Sequence, residues 1–154
     1  MIEYPKYKKV LFCTDFSENA DCAFSYAFGI AKRDDAVLYI LHVIKRNIKQ
    51  DSVLRSYVTN KQWNKIQEDA QQDLERQCND QYVCKIMDKS KVKFITKSGF
   101  VDEEILKFAV QEEIDLITMG SRGEMGSKYG ILGSVAERVV RYSSIPVFII
   151  PCKG

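Results

Sequence analysis

Histidine and tryptophan are scarce in this chain, one of each, and its five cysteines include no C-x-x-C pair. A single imidazole with no cluster of cysteines and carboxylates around it supplies no zinc-type ligand set, so a protein-held metal is not expected. Cys13, Cys22, Cys78, Cys84 and Cys152 are odd in number and irregularly spaced, which argues against a disulfide framework and for free thiols. Cys13 sits in an apolar strand pattern and Cys22 in a helical one, where both read as small buried hydrophobes; Cys152, near the exposed end, is open to oxidation or cross-linking in vitro. Long apolar runs are also missing. None nears the roughly 20 residues that span a bilayer, and the first nine residues lack the apolar centre of a signal peptide. The expectation is a cytoplasmic protein with no membrane partner. Net charge is nearly absent too: 23 Lys and Arg against 21 acidic residues leave +2, spread along the chain and not gathered in a basic stripe. Nucleic acid is therefore not an implied partner.

The 154 residues, 45% hydrophobic, are enough for one domain over 1–154 with a full core. Lys9 to Thr14 is a short apolar run closed by Asp15, and Ser17 to Arg33 then repeats Ala20, Ala23, Phe24, Ala27, Phe28, Ile30 and Ala31 at helical spacing. Ser17 is a better helix cap than Asp15, which leaves the Asp15 carboxylate for a ribose hydroxyl or a base amine, helix capping being its alternative role. Ala36 to Val43 is apolar almost throughout, as in a parallel strand covered on both faces, and is expected at the centre of the sheet. From Ile44 to Asn60 the pattern is polar and weakly periodic, a loop; from Lys61 to Gln81 Trp63, Ile66, Ala70 and Leu74 mark a second helix. Val92 to Lys97 alternates as a strand, Val101 to Glu113 reads as a third helix, and Ile114 to Met119 as a fourth strand. Ser134 to Ser143 is then a fourth helix, and Val147 to Ile150 a fifth strand fenced by Pro146 and Pro151. Five strands alternating with four helices predict an open, mostly parallel α/β sheet with right-handed crossovers. Ligands in such folds bind beyond the carboxyl ends of strands where strand order reverses. That rule selects the turn at Asp15, the strand exit at His42 and Val43, and the segment after Met119.

The last of these is the most informative. Met119-Gly120-Ser121-Arg122-Gly123 is followed by nine residues and then Gly133-Ser134-Val135. Glycines allow close backbone approach, and a helix starting at Ser134 aims unpaired N–H groups and its positive dipole end at the loop, which suits a phosphate. The loop is neither a Walker A sequence nor a compact G-x-G-x-x-G.

Taken with Lys8 to Ser17, the Leu41-His42-Val43 strand end, the Gly99 turn and Asp115 to Gly123, this segment resembles the universal stress protein family over essentially the whole chain. Its most specific part is the signature of the ATP-binding subgroup, Gly, two residues, Gly, nine residues, Gly, then Ser or Thr, which Gly120, Gly123, Gly133 and Ser134 satisfy. The resemblance implies an adenine-nucleotide alpha-hydrolase-like (Rossmann-like) domain that binds ATP, with Asp15 on the adenosine at the Cys13-Thr14-Asp15 strand end and Val43 lining the adenine. It places Met119, Gly120, Arg122 and Gly123 at ribose and phosphates, and Gly133, Ser134 and Val135 on phosphate oxygens. It also implies a homodimer through Val147 to Ile150. Any Mg²⁺ is expected to arrive with the nucleotide and be held by its phosphates. Two departures stand out. Cys13 occupies a position where many ATP-binding members carry Pro, and Gly126 and Gly130 add chain entropy that closure over phosphate must overcome, with Arg122 and Lys128 as the cations able to compensate.

The expected function is an ATP-dependent sensor or interaction module in a stress response, with an unidentified protein partner. The alternatives are a slow ATPase using the same pocket and a nucleotide-free, chaperone-like interaction protein. His42 has no nucleophile beside it in sequence and reads as structural, and Thr14-Asp15-Phe16-Ser17 is not the Ser-Gly-Gly-x-Asp-Ser loop of the related hydrolases. No general base for the γ-phosphate is visible, so any hydrolysis is expected to be slow.

Overall fold

The computed structural model describes residues 1–123 and 132–153. Five strands, β1 (Lys9–Cys13), β2 (Val37–Lys45), β3 (Val92–Gly99), β4 (Leu116–Gly120) and β5 (Val147–Ile150), form one sheet in the order β3-β2-β1-β4-β5. All four ladders are parallel. The α/β class read from the alternating pattern is therefore the one observed, but β1, not β2, lies at the centre. Both strands are apolar because both are internal, and the run of Ala36 to Val43 cannot by itself distinguish the middle position from the next one out.

The described residues contain five α-helices, one more than expected: α1 (Glu18–Asp34), α2 (Ile48–Ser56), α3 (Asn60–Gln81), α4 (Val101–Gln111) and α5 (Ser134–Tyr142). The addition is α2, in the stretch expected to be a loop. Its side-chain cap is Asn47, which accepts from the Gln50 N–H, and it buries no residue. A helix that contributes nothing to the core carries no apolar stripe for the sequence to reveal. Elsewhere the local signals work as chemistry dictates. The Ser17 hydroxyl accepts from Ala20 N–H at the start of α1, and Thr59 with Gln62 forms a reciprocal capping box on α3.

Strand alternation sends side chains to two separate cores. Val10, Phe12, Leu38, Ile40 and Leu116 meet α1 and the end of α3, through Ala23, Phe24, Ala27, Cys78 and Tyr82. Leu11, Cys13, Tyr39, Leu41, Ile117 and Met119 meet α4 and α5, through Ile105, Phe108, Ala136 and Val139. Each large apolar side chain buried this way stabilises by roughly 1.5–3 kcal/mol. The exposed pair Lys65–Asp69 on α3 adds little to stability.

The cysteines depart from expectation at one pair. Cys13, Cys78 and Cys84 are free, but Cys22 and Cys152 are joined in a disulfide. Their Cα atoms are 5.4 Å apart across a sequence separation of 130. Spacing rules see neighbours in sequence, and this pairing is made only by the docking of the segment after β5 onto α1.

Candidate functional site

Strand order reverses at β1, which is flanked by β2 on one side and β4 on the other. The crevice that such a reversal opens lies beyond the carboxyl ends of β1 and β4. The turn leaving β1 is held from several directions. Thr14 N–H donates to Leu41 O at 2.9 Å, and His42 Nδ1 lies 2.9 Å from Thr14 O, so the end of β2 fixes the backbone before Asp15. His42 is thus a satisfied, half-buried histidine, as the sequence suggested. The Asp15 carboxylate accepts from Ser17 N–H at 3.0 Å and from the Ser17 hydroxyl. It bends over the start of α1 without being that helix's cap.

Phe16 follows with φ of 62°, a left-handed conformation rarely taken by an aromatic residue. Its N–H donates to Thr14 Oγ1 at 2.8 Å, and its carbonyl accepts from Gln81 Nε2 at 3.1 Å. Its ring packs against His42 and Tyr82, with centroids at 4.8 and 6.0 Å. Behind it the Tyr82 hydroxyl bridges Thr14 Oγ1 and Asp21 Oδ1, both at 2.7 Å, while Gln81 Nε2 donates to the same Asp21 oxygen at 2.7 Å. Burial pushes the Tyr82 phenol well above its ordinary range, so it stays protonated and available as a donor. Sequence reading missed Tyr82, Gln81, Asp21 and Phe16. Tyr82 stands at the end of a helix, 68 residues after Thr14 and 61 after Asp21, and no local pattern connects the two segments.

The glycine segment meets this turn. A Cβ on Gly123 would lie 2.8 Å from Asp15 Oδ2, so the Asp15 carboxylate occupies the space that a side chain at 123 would need. Gly120 is packed as closely: a Cβ there would come 2.6 Å from Asn19 O on α1. Asn19 Nδ2 also donates to Gly123 O at 3.4 Å. Gly133 N–H donates to Ser121 O at 2.7 Å, which pinches the two ends of the loop together. Gly133 is the N-cap of α5 and has no side chain to satisfy that helix's first N–H groups, which belong to Ser134 and the residues after it. A helix of nine residues thus begins at the base of the loop, and among the described residues no side chain at its N-cap satisfies its positive end.

Of the residues singled out from sequence, Thr14, Asp15, Gly120, Arg122, Gly123 and Gly133 are brought together by these contacts. Cys13, Val43 and Met119 are buried in one apolar cluster beneath them, with Val135 packed against it. Burial also pushes the Cys13 thiol up, leaving it a neutral apolar wall. Gly126, Lys128 and Gly130 lie outside the described residues. Among the described residues no group of three His, Cys, Asp or Glu side chains is placed to hold a metal. A depression of about 510 Å³ along α3, lined by Asp73, Arg76, Gln77, Asp80 and Gln81, is built of solvated polar groups, with none of the convergence seen at the crevice.

Comparison with known proteins agrees on the architecture. The profile of the universal stress protein family matches residues 6–151. Universal stress protein MJ0577 of Methanocaldococcus jannaschii is 35% identical, covering 96% of this chain and 97% of its own length. Universal stress protein YxiE of Bacillus subtilis is 30% identical, over 94% and 99%. Among solved structures, that of MJ0577 superposes with a TM-score of 0.74 at 32% identity, covering 97% of this chain and 99% of that one. UspA from Lactobacillus plantarum gives 0.73 at 27% identity, over 96% and 99%. A universal stress protein solved in complex with cAMP shares the fold at 20% identity, with a TM-score of 0.64 and coverage of 95% and 98%.

Proposed function

The chain belongs to the universal stress protein family, and on that premise we propose that it is an adenine-nucleotide-binding module, an ATP-responsive sensor that acts through a protein partner. The observation that carries this reading is the Asp15 carboxylate filling the space beside the Gly123 backbone at the switch point of the sheet, next to the start of α5, whose N-cap Gly133 offers no side-chain bond. A carboxylate, an open backbone and a helix N-terminus lie within one crevice. These are the groups that a nucleoside with phosphates requires: an acceptor for ribose or base, and N–H donors for the anion.

In this reading Asp15 takes the adenosine, with Thr14 and Cys13 forming the strand end beneath it and Val43 and Met119 an apolar floor for the base. Gly120, Arg122 and Gly123 border ribose and phosphates. Gly133, Ser134 and Val135 hold phosphate oxygens through backbone N–H groups and the Ser134 hydroxyl. The phosphates themselves hold Mg²⁺. Assembly follows from the edge of the sheet. β5 has β4 on one side only, and its Phe148 is exposed beside Tyr26. An apolar edge strand of this kind is covered by pairing with its copy, which makes the working unit a cytoplasmic homodimer.

The test is mass spectrometry of small molecules released from freshly purified, denatured protein, beside Gly123→Val and Gly133→Val. Stoichiometric ATP in the wild type and none in the variants is the expected result. Release of ADP or AMP instead would favour the slow ATPase. No nucleotide, followed by no rise in melting temperature with millimolar Mg-ATP, would refute the sensor and leave a nucleotide-free interaction protein.

A further inference from the structure

Four of the five cysteines fall into two pairs of unlike chemistry. Cys13 and Cys78 are buried in the two cores, and burial pushes both thiols up, that of Cys78 to about 12, so neither supplies thiolate at neutral pH. Cys22 and Cys152 are half-buried at the surface, and their 5.4 Å Cα separation lies inside the range disulfides require, about 4.4–6.8 Å. The fifth, Cys84, is exposed just after α3 and donates its S–H to Asp80 O in that helix's last turn.

The position of the Cys22–Cys152 pair gives it a consequence. Cys152 lies two residues beyond β5, with its Sγ 3.6 Å from Glu18 O in the first turn of α1. Just before it, Ile150 O accepts from Ser121 N–H at 2.9 Å, which ties the end of β5 to the first residue after β4. Just after Glu18, Asn19 lies over Gly120 and reaches Gly123. The bond therefore joins the two elements that flank residues 120–123. In the reducing cytoplasm that the proposed function assumes, a disulfide is usually a transient or redox-sensing bond and not a structural staple.

We propose that Cys22 and Cys152 form a reversible thiol–disulfide site, oxidised by a hydroperoxide, that clasps the end of β5 onto α1 and steadies the base of the glycine loop. In the forward step one thiolate attacks the peroxide oxygen, the O–O bond breaks, and a sulfenic acid forms as the alcohol or water leaves. The second thiolate then attacks the sulfenic sulfur and expels hydroxide, which leaves as water after protonation. In sum two thiols lose two protons and two electrons, and the hydroperoxide becomes an alcohol and water. A dithiol reverses the step by exchange through a mixed disulfide.

The experiment uses the full-length protein reduced with dithiothreitol, then treated with hydrogen peroxide, alkylated with iodoacetamide and mapped by mass spectrometry. Cys22 and Cys152 should be alkylated before peroxide and linked to each other after it. Closing a loop of this length should raise the melting temperature of the oxidised form by about 10 °C. Cys152→Ser should abolish that difference, while Cys84→Ser should leave it intact. Amide exchange at Ser121 should be slower in the oxidised form. Peroxide that leaves both thiols alkylatable, or links Cys84 or separate chains instead, would overturn the site. Equal melting temperatures and equal Ser121 exchange in the two forms would overturn the clasp. None of these readouts uses nucleotide, so they stand or fall apart from the ATP reading.

Discussion

Gly120 and Gly123 belong to one motif, yet replacing each by alanine should damage different properties. At Gly120 the new Cβ would be 2.6 Å from Asn19 O and 3.0 Å from Asn19 C, both backbone atoms of α1. Neither can rotate away, so the helix must retreat from β4 by several tenths of an ångström while it remains packed through Ala20, Ala23 and Phe24. Overpacking of this kind costs about 1–3 kcal/mol. At this chain length that is a fall in melting temperature of about 2–12 °C.

At Gly123 the obstacle is Asp15 Oδ2 at 2.8 Å, the far end of a side chain. The carboxylate can swing aside at the expense of its bonds to Ser17, about 1 kcal/mol, or only about 2–4 °C. What it loses is its place in the crevice. A hydrogen bond to a charged group contributes about 1.5–3 kcal/mol, so Mg-ATP affinity should weaken by about 10–100-fold. The assay is a thermal melt and a calorimetric titration of each variant beside wild type. Gly123→Ala binding Mg-ATP as tightly as wild type would remove Asp15 from the site. Gly120→Ala melting with wild type would refute the close packing of α1 on β4.

Thr118 Oγ1 is fully buried in β4 and is the one buried side-chain polar atom without a partner among the described residues; Thr118→Val should therefore raise stability, by about 1 kcal/mol in urea unfolding, and a loss would mean the hydroxyl is bonded. The Arg33 guanidinium, with help from Tyr7 N–H, holds the Asp34 carboxyl down to about 2 from an ordinary 3.8. A lowered native pKa contributes stability above the ordinary value and loses it as pH falls from about 4 toward 2, so urea midpoints should drop across that window in wild type and less in Asp34→Asn. Equal slopes would count against the ion pair. Tyr82→Phe keeps the ring but leaves Thr14 and Asp21 without their bridge, and should cost about 1–3 kcal/mol of stability together with Mg-ATP affinity; unchanged binding would make the bridge purely structural.

Much of this molecule was legible in its sequence because the relevant signals are local. The apolar runs of β1, β2 and β4, the stripe of α1 and the Ser17 cap each follow from spacing within one element. The glycine signature was legible for the same reason: Gly120, Gly123 and Gly133 are near neighbours in sequence as well as in space. What was hidden depends on distance along the chain. α2 has no core face, the Cys22–Cys152 pair exists only after β5 docks beside α1, and the choice of β1 over β2 as the central strand is a property of the whole sheet. Tyr82 belongs to the same class, since its value lies in bridging Thr14 and Asp21 from the end of α3.

That bridge bears on how the crevice is built. Phe16 in the left-handed region costs roughly 1–2 kcal/mol, more than a solvated turn would tolerate without compensation. The compensation is visible: Thr14 accepts its N–H, Gln81 donates to its carbonyl, and His42 and Tyr82 pack against its ring. Strain retained by so many partners fixes the turn in one conformation before any ligand arrives. On the proposed function, the Asp15 carboxylate, held in addition by Ser17, would meet the nucleotide without first losing rotamer freedom, which removes about 0.5–1.5 kcal/mol of ordering cost from binding. On the same reading, α3, which carries no residue of the glycine motif, should influence affinity through Gln81 and Tyr82 at its end. Gln81 and Tyr82 hold Phe16 and Thr14 on either side of Asp15, so on the proposed function a substitution there that frees Phe16 to relax should weaken nucleotide binding without touching the nucleotide itself.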